Sequence, residues 1–590
     1  MNTSRVLLLL VLAVSASSAR SQNSDDGGRS YEFKGSLDAV LSLADPFALT
    51  PEKLEAAYAR EGFKTSPFFA WSADRSKARL GRHPYANINV DFTMLGGRVD
   101  VEEAVIVFKD GKADSYEIEV PDGSPDPSAV LRSVLKDAPA VRLVKTQRGT
   151  AVTFSSWVQP RAVIVHSQDT VEKHAGVVTI VKPAEAGHAC IHKAGAEFAL
   201  LCDLDFLLDY PSTWQLSAES MDQRFDFAGR GFKEQPFFKW LSDKKDRLRF
   251  ARQPFSNITV DLRLFGGRVA VDEATVDFTN GRASLVNVSV YNRGDSGGMG
   301  PPEFEALFKA CGQALGQLLK VSPQRRQNGA NQAVKTVGWM WQAPVCLALM
   351  EHNEYGGGGK KKMVMPEFLR LKLAPPANKD WNFGVSATGL LTSTVTKSSL
   401  SKNVTKKPEG DVYITGVPMV DQGAKGYCVV ASCQRLFEYY KIACDQHEMA
   451  QLAGTGARTG TSSMAMEETL GKIDNRFKTR FKPLISPSLR RERSYRAPDE
   501  KKFGELVKSY VTEGVPLLWA LDLGVAKEDP PLPVGGQMSG GHMRMIIGYN
   551  ETKGQLLFTD SWGAGHELKR MRLDDGFRVT EGLYVLQPRG

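Results

Sequence analysis

The sequence predicts an α+β protein: two tandem duplicated α+β domains with antiparallel sheets, then a third α+β domain of different pattern. Three observations carry this. Residue identities in the first two thirds recur in the same order at an offset of 169 and then 170 positions. Within each recurrence, alternating apolar runs are separated by Gly-Gly, Asp-Gly or Asn-Gly pairs, the signal of antiparallel hairpins. Beyond about residue 411 the recurrence stops. A helical run headed by Cys428 is followed much later by a hairpin carrying His542 and Asp560.

The repeated elements come in this order. Gly62-Phe-Lys64 returns as Gly231-Phe-Lys233, Pro67-Phe-Phe69 as Pro236-Phe-Phe238, and Trp71 as Trp240. Asn87-Ile88 returns as Asn257-Ile258, Gly96-Gly-Arg-Val99 as Gly266-Gly-Arg-Val269, and Glu103-Ala104 as Glu273-Ala274. A period this long indicates tandem globular domains, not a solenoid. Each unit starts with an amphipathic helix, Pro51 to Arg60 and Ser217 to Phe227. Strands follow at Ile88 to Met94 and Val99 to Phe108, joined through Gly96-Gly97. Asp110-Gly111 and Asn280-Gly281 mark the next hairpins. A second helix comes next, Pro127 to Asp137 and Pro302 to Leu319, and closing strands carry Trp157 and Trp341. Phe68, Phe69 and Trp71 read as core aromatics, with a ligand-binding patch as the alternative. Glu102-Glu103 and Asp272-Glu273 read as solvated strand edges. No His or Cys recurs at matched positions, which argues against a duplicated catalytic site and suits binding, spacing or pro-domain roles.

The chain of 590 residues is too long for one core, so about three to five domains are expected. The boundaries are a leader at 1–21, domains at 31–203 and 204–375, a linker at 376–411, and a domain at 412–590. The leader has Arg5 followed by the apolar run Val6 to Val14 and the small residues Ser17-Ser-Ala19. This reads as a secretory signal peptide, with an uncleaved N-terminal anchor as the alternative; the run is too short to span a bilayer, which takes about 20 residues. The expected location is extracytoplasmic, periplasmic or secreted, with no integral membrane segment in the mature chain and scope for cell-surface association. A net charge of +8 is small for this length and gives no reason to expect a nucleic-acid partner. The linker is rich in Ser, Thr and Lys from Thr392 to Gly410. Gly356 to Lys362 is a charged flexible loop without phosphate-loop spacing.

Export would let disulfides persist. Six of the seven cysteines could pair, leaving Cys428 free; Cys190–Cys202 and Cys311–Cys346 are candidates, and Cys433–Cys444 is disfavoured. No CxxC pair or His cluster suggests zinc, and no other cofactor is expected.

In the last domain, Val429 to Tyr440 lacks Gly and Pro and repeats apolar residues at helical spacing, so Cys428 heads a helix. There the helix dipole favours the thiolate, the reactive nucleophile. A small buried core residue is the alternative reading. Gln422 lies on the loop into that helix. Its amide and the Cys428 backbone N–H can both donate to an oxyanion. Met543 to Tyr549 and Gln555 to Thr559 flank a turn at Asn550 to Gly554. A turn centred on residue 552 pairs 544 with 560. That puts His542 and Asp560 on one face as diagonal neighbours, roughly 7–8 Å apart at the backbone. Asp560 can then fix the tautomer and orientation of the imidazole, with Trp562 shielding the bond.

Other candidates carry less weight. His566 is a rival base. Cys433 is a resolving thiol or, more simply, packing. His447 belongs to a surface helix, Asp445 to Leu452. Arg476 to Arg496, with eight basic residues and one acid, reads as a solvated loop or a contact for acidic partners. Asp529 to Gly536 forms a flap over the cleft or a plain loop.

These residues resemble the papain-like cysteine peptidases. Gln422 and Cys428 have the papain spacing, and Asp560-Ser-Trp-Gly563 resembles Asn-Ser-Trp-Gly with Asp for Asn. Val417-Pro-Met-Val-Asp-Gln422, the Asp form and Gly541-His542 with Ile546-Ile-Gly-Tyr549 look more like cysteine peptidase family thirty-nine, which includes the double-glycine leader peptidases. The likeness covers about 412–590. It implies a papain-like domain with Cys428 as nucleophile, His542 as general base and acid, Asp560 as orienter and Gln422 as oxyanion donor. The chain departs from papain in Gly426-Tyr427 before the Cys and Val429 after it, and from the leader peptidases in having no transporter segment. The expected activity is an exported cysteine-type peptidase acting on peptide or protein substrates, its front domains positioning substrate or inhibiting the enzyme. A cell-wall peptide amidase or acyl transferase with the same triad, and a binding protein with a degenerate hydrolase domain, are the alternatives.

Overall fold

A computed structural model describes residues 31–81, 88–146, 149–170, 176–182, 189–225, 237–251, 257–327, 336–356, 364–376, 395–423, 426–442, 444–455, 460–474, 477–533 and 537–589. The leader at 1–21, the motif Gly231-Phe-Lys233 with Pro236, and the glycine-lysine run after Gly356 lie outside the described residues. Two compact units form. One comprises the described residues of 1–206, 222–236 and 257–268, the other those of 207–221, 237–256 and 269–590.

The first unit opens on Tyr31–Ser36, which pairs in parallel with Ile88–Met94. That strand runs antiparallel to Val99–Val101. Asp38 fixes the corner, its carboxylate accepting from the backbone N–H of Leu95 and Gly96 at 2.9 and 2.7 Å. Gly96 and Gly97 take φ of 73° and 75°, the conformation glycine adopts without strain. The strand expected from Val99 to Phe108 is two strands in two sheets. It breaks at Glu102, whose carbonyl lies 2.7 Å from where a Cβ on Gly81 would stand. Glu103–Lys109 then enters an antiparallel sheet of eight strands. In spatial order these are Phe69–Trp71, Lys77–Leu80, Glu103–Lys109, Lys112–Val120, Gly176–Val181, Val163–Asp169, Ala151–Val158 and Ala140–Lys145. Helix Pro51–Ala57, capped by Thr50, and helix Pro127–Leu135, capped by Asp126, complete the segment. Phe68, Phe69, Tyr116 and Trp157 are core residues. Glu103 is buried, not a solvated edge; it is paired with Arg79 on the adjacent strand, because a buried carboxylate needs a partner.

The same unit contains Ala189–Ala194 antiparallel to Glu197–Asp203, which runs parallel to Ile258–Leu264. The antiparallel expectation thus fails at one strand pair in each small sheet. Here Asp205 takes the place of Asp38, its carboxylate accepting at 2.5 Å from both Phe265 N–H and Gly266 N–H. Cys190 and Cys202 are not joined in a disulfide. Cys190 faces Leu201 and Cys202 faces Ala189 in the register, so the two sulfurs leave opposite faces of the sheet.

The second unit holds another eight-stranded antiparallel sheet. Its spatial order is Phe238–Trp240, Arg247–Ala251, Glu273–Thr279, Arg282–Asn292, Phe368–Ala374, Leu347–Asn353, Thr336–Gln342 and Gln324–Gln327. Strand for strand, this is the connectivity of the first sheet. Asn280-Gly281 turns with φ of 51° and 74°, as Asp110-Gly111 does with 51° and 73°. Trp341 is buried like Trp157, and Glu273 is buried against Arg249 at 2.7 Å. Helix Pro301–Leu319 carries Cys311 into the core. Cys311 and Cys346 stay unbonded, and Cys346 donates to the Leu347 carbonyl at 3.3 Å.

The rest of this unit is the third α+β region. Within the expected linker, Lys397–Leu400 forms a helical turn and Val404–Lys406 pairs with Asp411–Ile414. The sheet order continues through Gly540–Asn550, Leu517–Leu523, Thr580–Pro588 and Thr479–Ile485. Gln555–Thr559 adds to Gly540–Asn550 and carries Lys569–Arg572. The stretch Arg476 to Arg496 is therefore not simply a solvated loop, since Thr479–Ile485 is the edge strand. Helices Cys428–Tyr439, Gln446–Ala453, Ser463–Ile473 and Glu500–Thr512 contribute to one core with Leu436, Phe437, Trp519, Met545 and Tyr584. His447 is half-buried, bonded to Asn292 and against the Tyr427 ring, not on a free surface. Among the described residues no helix is long and apolar enough to cross a membrane.

Candidate active site

Cys428 is the first residue of its helix, and the preceding Tyr427 gives no side-chain cap. The N–H groups of that first turn lack helical acceptors, so positive potential collects beside the sulfur. The helix lies against the strand Gly540–Asn550, where Ser432 Oγ donates to the Met543 carbonyl at 3.2 Å.

The hairpin register at the site end is the expected one. Met545 faces Thr559 and Ile546 faces Phe558, and a bulge follows before Gly548 faces Leu557. Continued toward the site, this register sets Arg544 opposite Asp560 and His542 diagonal to it. His542 Nε2 donates to Asp560 Oδ1 at 2.7 Å, with both side chains wholly buried. Trp562 stacks over the imidazole, with centroids 4.8 Å apart and planes at 29°. Asp560 holds Nε2, so the nitrogen left for the thiol is Nδ1. It has no conventional hydrogen-bond partner, and its interaction is with Cys428. This is a looser contact than a conventional hydrogen bond.

Charge follows this geometry. Burial pushes the Cys428 thiol up, but the adjacent, positively charged His542 and the Met543 N–H outweigh it, so its pKa falls below the ordinary value. Burial pulls His542 down, but the Asp560 carboxylate and the sulfur raise it from 6.5 to about 9. Burial opposes ionisation of Asp560, but Arg544, His542 and Lys569 hold it well below the carboxylate range. The arrangement favours a thiolate–imidazolium pair.

Gln422 is buried and tied at both ends. Its N–H donates to the Ser561 carbonyl at 2.9 Å, and its Oε1 accepts from Ser561 Oγ at 2.8 Å. With the oxygen occupied, the NH2 end is left to donate. Asp421 and Trp562 form an isolated antiparallel bridge beside it. The four expected residues therefore converge, Gln422 through Ser561, which adjoins Asp560. His566 does not join them. Its carbonyl accepts from Asp560 N–H at 3.0 Å and its ring meets the edge of Trp562. Cys433 is sealed in the core and burial pushes its thiol up to about 12, the packing role and not the resolving one.

Sequence reasoning missed the buried charges behind His542 and Asp560. Arg544 Nε donates to Asp560 Oδ2 at 2.7 Å, and its other nitrogens pair with Glu528 at 2.6 and 3.1 Å. Lys569 also pairs with Glu528. Arg435 donates to the carbonyls of Pro418 and Asp560 and to Thr559 Oγ1 at 2.6–2.7 Å. The available signal was an Arg two residues from His542, hence on the same strand face, inside an otherwise apolar run. Asp529, at the start of the expected flap, is held by reciprocal backbone bonds with Arg570 at 2.9 and 2.7 Å; the flap residues 534–536 lie outside the described residues. No group of three or more His, Cys, Asp or Glu among the described residues is arranged to hold a metal ion.

Residues 414–584 match the Peptidase C39 like family. Among solved structures, the chain is similar to xylellain, a cysteine protease from Xylella fastidiosa, at 14% identity, covering 33% of this chain and 91% of that chain with a TM-score of 0.18. It is also similar to the dehydratase domain of PpsC from Mycobacterium tuberculosis in complex with C12:1-CoA, at 10% identity, covering 52% of this chain and 97% of that chain with a TM-score of 0.08. No curated protein matches the chain.

Proposed function

We propose that the C-terminal region is a cysteine peptidase whose nucleophile is Cys428. The single observation that carries this is the relay in which Asp560 holds His542 through Nε2 at 2.7 Å and leaves Nδ1 to the sulfur of a helix-start cysteine. The thiolate attacks a peptide carbonyl, and the oxyanion accepts hydrogen bonds from Gln422 and the Cys428 N–H. Imidazolium His542 gives its proton to the departing amine, and a thioester joins the acyl group to Cys428. Neutral His542 then takes a proton from water, whose hydroxide attacks the thioester; the acid leaves and the thiol is restored. Asp560 orients the ring throughout. The substrate class is peptide or protein, matching the family of residues 414–584.

The finer organisation belongs to the same proposal. The two segments with identical eight-strand order arose by tandem duplication; their matched Asp38 and Asp205 corners and matched Glu-Arg pairs support this. The peptidase domain starts near residue 396, since Val404–Lys406 is a strand of its sheet. The leader-like N-terminus supports an extracytoplasmic location. The test is covalent labelling by an epoxide thiol inhibitor. The full-length protein is expected to be labelled at Cys428 and Cys428→Ala to escape; equal labelling of both would refute the assignment.

A further inference from the structure

The second eight-stranded sheet reaches the loop that carries Gln422. Lys239, on the strand Phe238–Trp240, donates from Nζ to the Trp562 carbonyl at 2.5 Å and to Asp421 Oδ2 at 3.3 Å. Arg249 NH1 lies 3.6 Å from the same Asp421 oxygen, while its NH2 is held by Glu273 at 2.7 Å. Asp421 turns its other oxygen to the Gly423 N–H at 2.8 Å. Asp421 and Trp562 are the two ends of the isolated bridge beside Gln422, so one ammonium grips both of its strands. The approach is close. A Cβ on Gly563 would stand 2.8 Å from Lys239 Cε, and one on Gly423 would stand 3.0 Å from Arg249 NH2.

This grip is specific to the second domain. In the duplicated alignment Ala70 stands where Lys239 does, between the same Phe and Trp. Strand register extends the comparison: Asp277, Glu351 and Arg370 of the second sheet correspond to Val107, Ser167 and Val177 of the first. Those charges build the rest of the seam. Arg247 bridges Asp277 to Glu438 at 2.6 and 2.9 Å, and Arg370 bridges Glu351 to Glu448 at 2.9 and 3.1 Å. One copy of the fold has acquired a charged face fitted to the peptidase domain.

We propose that Lys239 is a positioning residue of the oxyanion pocket: its ammonium ties Asp421 to the Trp562 carbonyl and thereby fixes the amide of Gln422. This rests on the cysteine-peptidase reading and gives the second domain a part in catalysis, in place of a removable pro-domain role. The test uses the full chain and two probes that need no knowledge of the substrate. Iodoacetamide alkylates the thiolate by displacing iodide, with no oxyanion formed. p-Nitrophenyl acetate is attacked at its carbonyl; the tetrahedral oxyanion collapses, p-nitrophenolate leaves, and the acetyl thioester on Cys428 is then hydrolysed to acetate. Lys239→Met is expected to slow acylation about tenfold or more, below the full effect of losing an oxyanion donor, with alkylation unchanged across pH. Lys239→Arg is expected to recover most of the acylation rate. Glu438→Gln, which cuts the seam elsewhere, is expected to alter neither rate. Equal acylation by Lys239→Met and wild type would overturn the proposal, and so would a parallel fall in both rates. Failure of either probe to react at Cys428 in the wild type would overturn instead the peptidase reading beneath it.

Discussion

Asparagine is what papain carries at the place of Asp560, yet Asp560→Asn is predicted to be damaging here. Three donors converge on the carboxylate: His542 Nε2–H at 2.7 Å and Ser561 N–H at 2.9 Å on Oδ1, and Arg544 Nε–H at 2.7 Å on Oδ2. An asparagine has one acceptor oxygen. If it keeps His542, its NH2 faces the Arg544 N–H; if it keeps Arg544, its NH2 faces His542. Removing one partner of a buried ion pair costs about 3–5 kcal/mol. Arg544 retains Glu528, which favours the lower end. At about 3 kcal/mol the domain should melt roughly 6–12 °C lower. The carboxylate also provides the largest upward push on His542, which stands at about 9. Without it the imidazolium should lose at least about one unit, or ~1.4 kcal/mol, and the thiolate it supports should form at higher pH. Iodoacetamide alkylation of Cys428 against pH reads the second effect, and calorimetry the first. Replacing Arg544, Glu528 and Lys569 together by apolar residues of similar volume should restore part of the lost stability, since the whole buried ion network is then gone, without restoring the pH profile. An Asp560→Asn protein with wild-type melting and a wild-type alkylation profile would refute the reasoning.

Gln422→Ala should slow acylation by p-nitrophenyl acetate about 10²–10³-fold and leave iodoacetamide alkylation within about twofold; equal effects on both would remove Gln422 from the oxyanion role. The His542–Asp560 pair should stabilise the fold over a defined pH range. The folded pKa of His542 is raised, so its contribution is complete below the ordinary 6.5 and is lost as pH rises through about 9. That of Asp560 is depressed, so its contribution is present above the ordinary 3.8 and fades as pH falls. The melting difference between wild type and His542→Gln should therefore be greatest between those two ordinary values and shrink toward pH 9; a difference that grows with alkalinity would contradict the sign. Gly563→Ala combines a φ of 84° with the Lys239 contact, and should lower stability by about 1–3 kcal/mol and slow acylation more than alkylation; thermal melting and the two probes measure this.

What the sequence made legible was what depends on local period and turn chemistry. The helix headed by Cys428 and the side-chain parity of the hairpin follow from apolar spacing and from a turn at Asn550 to Gly554, so residue order alone places His542 and Asp560 on one face. The same logic placed the Asp110-Gly111 and Asn280-Gly281 turns. It failed at Glu102, because Ala104 to Phe108 is apolar throughout and hides the change of phase that burial shows between Val101 and Ala104; the Glu102 carbonyl at this break lies against Gly81. It failed too for Glu103 and Glu273, whose charge reads as exposure until Arg79 and Arg249 are brought alongside by strands more than twenty residues away.

The substitution of Asp for Asn in the Ser-Trp-Gly motif is where the two levels meet. In sequence it looks like a tolerated variation on papain. In the structure it is matched to Arg544, because a carboxylate offers one oxygen to the imidazole and the other to the guanidinium, where an asparagine would turn its NH2 to one of them. Arg544 in turn is tolerated in a buried strand because Asp560 and Glu528, the latter paired also with Lys569, neutralise it. The identity of residue 560 is thus decided by charges at 528, 544 and 569, not by His542 alone. The same dependence predicts which changes should make an Asn form workable in this fold: loss of Arg544 together with Glu528 and Lys569, replaced by apolar residues of similar volume, since removing a whole buried ion network is tolerated where removing one member is not.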